Sequence, residues 1–335
     1  MLKERAETGR IYIMNIDHAN SHSSFKDKVS MSNLCQEITL PTVPIQDLYD
    51  EQGEIALCIL SAVNVGQLND LNELDNLCDL SVRALEQIID YQDYPVKAAE
   101  VSTKKRRSLG IGYIGLAHYL AKNGVKYNEK GAWELVDRLS EAFQYYLLRA
   151  SCDIAKEKGK CEGFERTKYA EGLLPIDHYK KEIDEIVPHK QRMAWESLRK
   201  DIAKYGLRHS TLSAQMPSES SSVVSNETNG IEPPRAMLQI KKSKKGPLKQ
   251  IAPGFPKLKN DYTLLWDMPS NQGYINVVAM MQKYFDQAIS GNWSYNPLQF
   301  ENNEVPLSVM AQDMLTAYKY GWKTSYYQNT YDFKG

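Results

Sequence analysis

Cysteine is sparse and unpaired in this sequence. The five cysteines, Cys35, Cys58, Cys78, Cys152 and Cys161, are an odd number with no C-x-x-C pair, which argues against a disulfide scaffold or a zinc ribbon. Any reactive thiol is then one or two of them, singled out by context. A charge excess is lacking too: 41 Lys and Arg against 42 Asp and Glu leave a formal charge of −1, whereas a nucleic-acid coat or a polybasic membrane contact needs a marked basic surplus. Long hydrophobic runs are missing. The longest, residues 55–63, is less than half of what spans a bilayer, and the opening MLKERAETGR lacks the apolar stretch of a signal peptide. A cytoplasmic protein that meets neither nucleic acid nor membrane is expected. What is present, 42% apolar and 25% charged residues over 335 positions, suits a soluble globular chain of one large or two ordinary domains.

Along the chain, GRIYIMNID (9–17) alternates like a strand almost at once, an abrupt start of the kind a fragment shows. A polar loop rich in His and Ser leads to 32–40, read as extended, and then through a Pro-flanked turn to the apolar 54–64, read as a buried strand. Leu71, Leu74, Leu77, Leu80 and Leu85 give 68–91 a helical period. A basic segment from Lys104 enters a glycine-bearing apolar stretch, and 128–205 reads as mostly helical with breaks near Gly163, Pro175 and Pro188. Residues 211–216 read as a strand stopped by Pro217, and Ser218 opens a helix. The Lys, Pro and Gly of 240–259 suit an exposed hairpin or loop. Helices around 274–290 and at 307–320 and a short strand 323–329 follow. Strands mixed with helices, without internal repeats, indicate an α/β fold.

The stretch SNLCQEI (32–38) carries the most chemistry. In an extended backbone alternate residues share a face, so Asn33, Cys35 and Glu37 would stand together: a redox-capable sulfur, a carboxylate able to take a proton and an amide that both donates and accepts. The bland alternative is a half-buried strand with a structural cysteine. Cys58, inside IALCIL (55–60), reads by default as a small core residue, but on a strand beside the Cys35 segment it could share its pocket as a reductant. Cys78, Cys152 and Cys161 sit in helical contexts without polar company. The tandem Tyr326 and Tyr327 imply one buried and one exposed ring. Ser218, Glu219, Ser220, Ser221 and Ser222 run from a strand end into a helix start, where N–H groups and hydroxyls can meet phosphate or simply cap the helix.

Three motifs are set aside. Gly110, Gly112 and Gly115 match the dinucleotide glycine pattern but follow the basic run 104–107 instead of an apolar strand. A nicotinamide-dependent dehydrogenase would need that motif. His18 and His22 have neither third ligand nor accompanying Glu, and read as a solvent-facing or locally bonded pair in a loop. The sequon at Asn226 means nothing in a cytoplasmic chain.

Together SNLCQE (32–37), EIALCILSAVN (54–64), DYQDYP (90–95), STLSAQMPSESSS (210–222), NETNGIEPPR (226–235) and YYQNT (326–330) resemble the large subunit of class I, aerobic ribonucleotide reductases of the enterobacterial and T4-like phage type. The resemblance covers about residues 9–329. It implies the second half of a ten-stranded α/β barrel: five parallel strands, a central finger loop and additional helices. On this reading 1–125 hold the finger loop and barrel strands, 126–208 a mainly helical segment, and 209–335 the remaining strands, the phosphate turn and the C-terminal helices. Cys35 then corresponds to the thiyl-radical residue that takes the ribose 3′ hydrogen of a ribonucleoside diphosphate, Glu37 to the base for the 3′ hydroxyl, and Asn33 to a substrate-orienting group. Cys58 corresponds to one of two reducing cysteines. Tyr326 and Tyr327 correspond to the radical relay, Tyr327 outermost, and Ser218, Glu219, Ser220, Ser221 and Ser222 to the substrate-phosphate turn, with Ser220 where the family often has Thr.

The resemblance also implies what lies elsewhere. The first half-barrel, the effector sites, the partner of Cys58 and a re-reducing C-terminal cysteine pair have no counterpart between Met1 and Gly335. The expected partners are an N-terminal half of the large subunit, a small subunit with a di-iron centre and tyrosyl radical, a second large-subunit copy, and thioredoxin or glutaredoxin as external dithiol. No metal or cofactor is expected in this chain. The competing reading is a non-catalytic binding or regulatory remnant of that subunit.

Overall fold

The computed structural model describes residues 1–9, 11–243 and 246–332. Arg10 of the expected first strand, Lys244 and Lys245 of the expected excursion, and Gly335 lie outside them. The architecture is α/β, with five parallel segments running side by side. Strand β2 (Ile59–Asn64) pairs in parallel with β3 (Leu109–Ile114), from Ile59 opposite Leu109 to Asn64 opposite Ile114. Parallel bridges then join Ile111 to Ser213 and Gln215 to Ile289. Just beyond Ile289, β6 (Trp293–Tyr295) pairs in parallel with β8 (Gln328–Thr330). The expected five parallel strands are thus the neighbouring segments 59–64, 109–114, 211–215, 287–295 and 324–330.

Helices fill the connections. Between β2 and β3 come α3 (Glu73–Tyr91) and α4 (Lys97–Arg106). In α3 the buried Leu74, Cys78, Val82, Leu85 and Ile89 recur every three or four residues, so one stripe faces the core. Helix α5 (Leu116–Lys122) follows β3, and α6 (Lys130–Lys158), 29 residues long, packs across α3. At Pro175 the helical segment is broken, as expected, and the proline opens the short α7 (Pro175–His178), since its missing N–H costs nothing at a first helical position. Then come α8 (Trp195–Tyr205) and α9 (Glu219–Val224). The excursion is a hairpin, β4 (Leu238–Ser243) against β5 (Gly246–Ile251). Helices α10 (Gln272–Gln282) and α11 (Leu307–Lys319) flank the fourth segment. One apolar core runs from Val63 to Trp322 and draws on all three expected segments of the chain.

Local expectations fail where long-range contacts outweigh local pattern. The start is not one strand: α1 (Leu2–Thr8) comes first, only β1 (Ile13–Met14) is extended, and α2 (Ile16–Ser21) follows. Strand β1 runs antiparallel to β7 (Thr324–Ser325), which carries Tyr12 to the far end of the chain. Residues 32–40 are a loop with a turn at Leu34–Cys35, and Gln36 takes a left-handed φ of 68°. The strand expected over 54–64 begins only at Ile59 and is not buried: Leu57 is 38% and Leu60 42% exposed. Helix α10 stops at Gln282 instead of reaching residue 290, because the backbone beyond it joins the parallel array: Gln287 N–H donates to the Ser213 carbonyl and Ser290 N–H to that of Gln215. The strand expected over 323–329 is broken into β7 and β8 at the tyrosine pair. His18 and His22 lie at a helix and are buried, with His18 Nδ1 3.0 Å from the Trp322 carbonyl.

Candidate active site

The loop bearing Cys35 lies against the fourth parallel segment. Glu37 carbonyl accepts the Ala288 N–H at 3.0 Å, and the Gln287 side-chain oxygen accepts the Thr39 N–H at 3.3 Å. The turn is closed by Asn33: its carbonyl accepts the Gln36 N–H at 3.1 Å and its Oδ1 the Ile38 N–H at 3.1 Å. Asn33, Cys35 and Glu37 are therefore neighbours through a turn, not as alternate residues of a strand. Asn33 is exposed and its Nδ2 has no protein acceptor among the described residues, so that donor is available to a ligand.

Glu37 is buried, and Ser290 ties it to Cys35: the hydroxyl lies 3.1 Å from Glu37 Oε2 and 2.5 Å from the Cys35 carbonyl. The Cys35 thiol itself faces Tyr326, Sγ to hydroxyl 3.4 Å. The ring of Tyr326 lies 3.9 Å, centroid to centroid, from that of Tyr327. Tyr326 is 3% exposed and Tyr327 44%, the buried and exposed pair expected of the tandem. Burial, followed by the hydrogen bonds to Cys35 and Tyr327, pushes the Tyr326 phenol well above its ordinary pKa. At neutral pH it is protonated, and oxidising it requires losing a proton with the electron.

A third ring, Tyr12, lies 4.9 Å from Tyr326 and 6.0 Å from Tyr327. Burial, then Tyr327 and Cys35, raises its pKa as well. Sequence reasoning missed Tyr12; the one available signal was its place in the alternating 9–17 stretch. It also missed Ser290 and Gln287, which belong to no motif.

Cys58 stands beside the same segment. Gln287 Nε2 reaches its sulfur at 3.5 Å and donates to the Leu109 carbonyl at 2.9 Å, so one side chain links Cys58, β3 and the Cys35 loop. Burial pushes the Cys58 thiol up to about 12, with the Gln287 contact opposing. It is a neutral S–H at pH 7, suited to giving up hydrogen more than to attacking as a thiolate. Cys78, Cys152 and Cys161 are buried away from these groups.

The phosphate-turn candidates divide. Ser218 Oγ donates to the Met216 carbonyl at 3.0 Å, and Ser222 Oγ accepts the Gly230 N–H at 3.2 Å, so these two hydroxyls build the turn. Ser220 and Ser221 are exposed at the first turn of α9, where N–H groups lack helical acceptors. The turn begins three residues beyond Gln215, whose carbonyl accepts the Ser290 N–H at 2.9 Å, so it grows from the strand beside the Glu37 anchor. Gly110 and Gly112 lie within β3, and Gly115 stands between β3 and α5 with a φ of 81°, so the first two are strand residues and the motif is not one loop.

The family described as ribonucleotide reductase, barrel domain, matches residues 1–328. The ribonucleoside-diphosphate reductase subunit alpha of Haemophilus influenzae is 57% identical over 99% of this chain and 44% of its own length. Subunit alpha of ribonucleoside-diphosphate reductase 1 of Escherichia coli is 53% identical over the same shares. That of phage T4 is 42% identical over all of this chain and 45% of its own length. The chain spans less than half of the relatives it matches.

Proposed function

The chain belongs to the ribonucleotide reductase barrel family, and from that premise we propose that it carries the centre at which a ribonucleoside diphosphate loses its 2′ hydroxyl. The observation that carries this reading is the continuous line from the half-exposed Tyr327 through the buried Tyr326 to the Cys35 thiol, at 3.9 Å and 3.4 Å. An oxidising equivalent arriving at Tyr327 passes to Tyr326. Its phenoxyl then takes the hydrogen of Cys35, re-forming O–H and leaving a thiyl radical. That radical removes the substrate 3′ hydrogen, and Glu37 accepts the proton of the 3′ hydroxyl while the 2′ hydroxyl leaves as water. Two thiols end as a disulfide: one of their hydrogens protonates the departing 2′ hydroxyl to water, the other replaces it at C2′, and the two electrons of the reduction come from the same pair. Cys58 is one of them, and the other comes from a counterpart that carries the first half-barrel. At the end of the cycle the Cys35 thiol returns this hydrogen to C3′, which restores the thiyl radical, and the thiyl then takes hydrogen from Tyr326 as the oxidising equivalent goes back along the relay.

The substrate diphosphate sits on the turn 218–222, met by the hydroxyls and N–H groups of Ser220 and Ser221, with Asn33 Nδ2 donating to the sugar. The partners are the counterpart half of the large subunit, a second large-subunit copy, a small subunit that generates the radical, and a thioredoxin- or glutaredoxin-type dithiol. We assign the di-iron centre and tyrosyl radical to the small subunit. The test is assembly of the chain with its counterpart and the small subunit. Deoxyribonucleoside diphosphate should form, and Cys35→Ser should abolish it; turnover that survives the substitution sinks the reading.

A further inference from the structure

Asn292 has no part in the chemistry above, yet its amide joins two elements of the site. Its Oδ1 accepts the backbone N–H of Tyr327 at 3.0 Å, and its Nδ2 donates to Oε1 of Glu232. The orientation of this amide is forced, because a donor faces one end and a carboxylate the other. Glu232 is itself held, its Oε2 accepting from Asn229 Nδ2 at 3.2 Å and its N–H donating to the Asn229 carbonyl at 3.0 Å. The next residue after Asn229, Gly230, donates its N–H to the Ser222 hydroxyl at 3.2 Å, and the Ser222 carbonyl accepts the Glu227 N–H at 2.8 Å.

A line of hydrogen bonds therefore leads from the turn 218–222, through 229–232 and Asn292, to the peptide of Tyr327. The far side of that peptide is pinned as well: the Tyr327 carbonyl accepts from Trp293 N–H at 2.9 Å and from Arg5 Nη2 at 3.3 Å. With its backbone held on both sides, Tyr327 carries its ring from a fixed position, 3.9 Å from that of Tyr326.

We propose that Asn292 and Glu232 are positioning residues that hold the tyrosine pair in register and tie it to the substrate-phosphate turn. The inference rests on the radical-relay reading of Tyr326 and Tyr327. Neither side chain is hydrogen-bonded to Cys35, Glu37 or the hydroxyls of the tyrosine pair; they act through the Tyr327 peptide. The pair needs one acid and one amide, because Glu232 must be met by a donor while the other end of residue 292 remains an acceptor.

Asn292→Asp breaks this rule by setting two carboxylates together, a contact that becomes favourable only when a proton bridges them. Burial already holds the Glu232 carboxyl above its ordinary range, with Glu219 adding to the shift and Asn292, Arg235 and Asn229 opposing it. The other charged or titratable groups at this place are Asp313, Tyr274 and Tyr295, which line the same cavity of about 100 Å³, and Arg5 on the Tyr327 carbonyl.

The test uses the assembled enzyme, with kcat and KM measured from pH 6 to 8.5 and expressed relative to the parent at each pH. Asn292→Asp should lower kcat by ~10-fold or more at pH 8, the scale of a small misplacement of reacting groups. KM for the nucleoside diphosphate should stay within ~2-fold, and kcat should recover as the pH falls and the shared proton returns. The swapped pair Glu232→Gln with Asn292→Asp should restore kcat to within ~3-fold without that pH dependence, since the amide now at position 232 donates to the carboxylate now at position 292 and the Tyr327 N–H keeps its acceptor. If the swapped protein does not fold, the pH recovery of the single variant decides. Parental kcat in Asn292→Asp at pH 8, or loss without recovery in both the low-pH arm and the swapped pair, overturns the inference. Turnover by Cys35→Ser in the same assembly would instead overturn the relay reading beneath it.

Discussion

Gly110 shows how one missing methyl group sets the distance between the Cys58 thiol and the strand beside it. A Cβ there would stand 2.6 Å from Leu60 Cδ2, 2.9 Å from Cys58 Sγ and 3.2 Å from Ala214 Cβ, so no side chain fits while Cys58 keeps its place. Gly110→Ala should therefore displace the thiol, cost ~1–3 kcal/mol of stability through overpacking, and cut deoxyribonucleotide formation more than it cuts stability. Denaturant unfolding read beside the activity of the assembled enzyme checks both, and unchanged turnover would refute the claim that Cys58 needs this contact. In the sequence Gly110 reads only as part of a nucleotide motif to be discarded, and its packing role depends on a strand 50 residues away. Cys35 and Glu37 are legible for a partly wrong reason: the spacing suggests a shared strand face, while in the structure a turn closed by Asn33 and a hydroxyl from Ser290 keeps them adjacent. Ser290 and Asn292 are illegible beforehand, because their meaning lies entirely in partners distant along the chain.

At the scale of elements, Glu86 fastens α3 to the segments around it. Its buried carboxylate accepts from Arg107 at 2.7 Å, Arg208 at 2.8 Å and His209 Nε2 at 3.0 Å. Burial alone would raise this carboxyl, but donations from His209, Arg107 and Arg208 hold it down to about 2. His209 stays below its usual range because its own burial outweighs Glu86; a neutral ring that donates from Nε2 and accepts from Ser151 at Nδ1, 2.9 Å away, fits that state. The folded pKa of Glu86 lies below the ordinary value of 4.5, so its contribution is complete above about pH 4.5 and is lost as the pH falls through about 2. The shift corresponds to about 3 kcal/mol. Urea unfolding of the parent and Glu86→Gln at pH 7 and pH 3 should show a gap that narrows in acid, and a gap that widens there would refute the assignment. Helices such as α3 and α11 are visible in the sequence because their period is local. The end of α10 is not, since residues 283–290 have helical composition and leave the helix only to join strands 70 residues earlier.

Among the described residues five parallel segments run side by side, and at one margin β2 is paired on one side only, with β3. Parallel sheets bury both faces and protect their edges, yet here Leu57 and Leu60 stand 38% and 42% exposed beside the Cys58 thiol. On the proposed reading, an apolar margin beside Cys58 is what the first half-barrel would cover, and covering it would also bring the second reducing cysteine to Cys58. Leu57→Asp should then leave the chain's own stability nearly unchanged, by ~1 kcal/mol or less, as for a half-exposed position. The same substitution should weaken association with the counterpart half ~10-fold or more, because a carboxylate would be buried there without a partner. Sedimentation of the mixed halves measures the second effect and thermal unfolding of the chain alone the first. Parental association by Leu57→Asp would mean that the counterpart docks elsewhere, and the second reducing thiol would then have to reach Cys58 by another route.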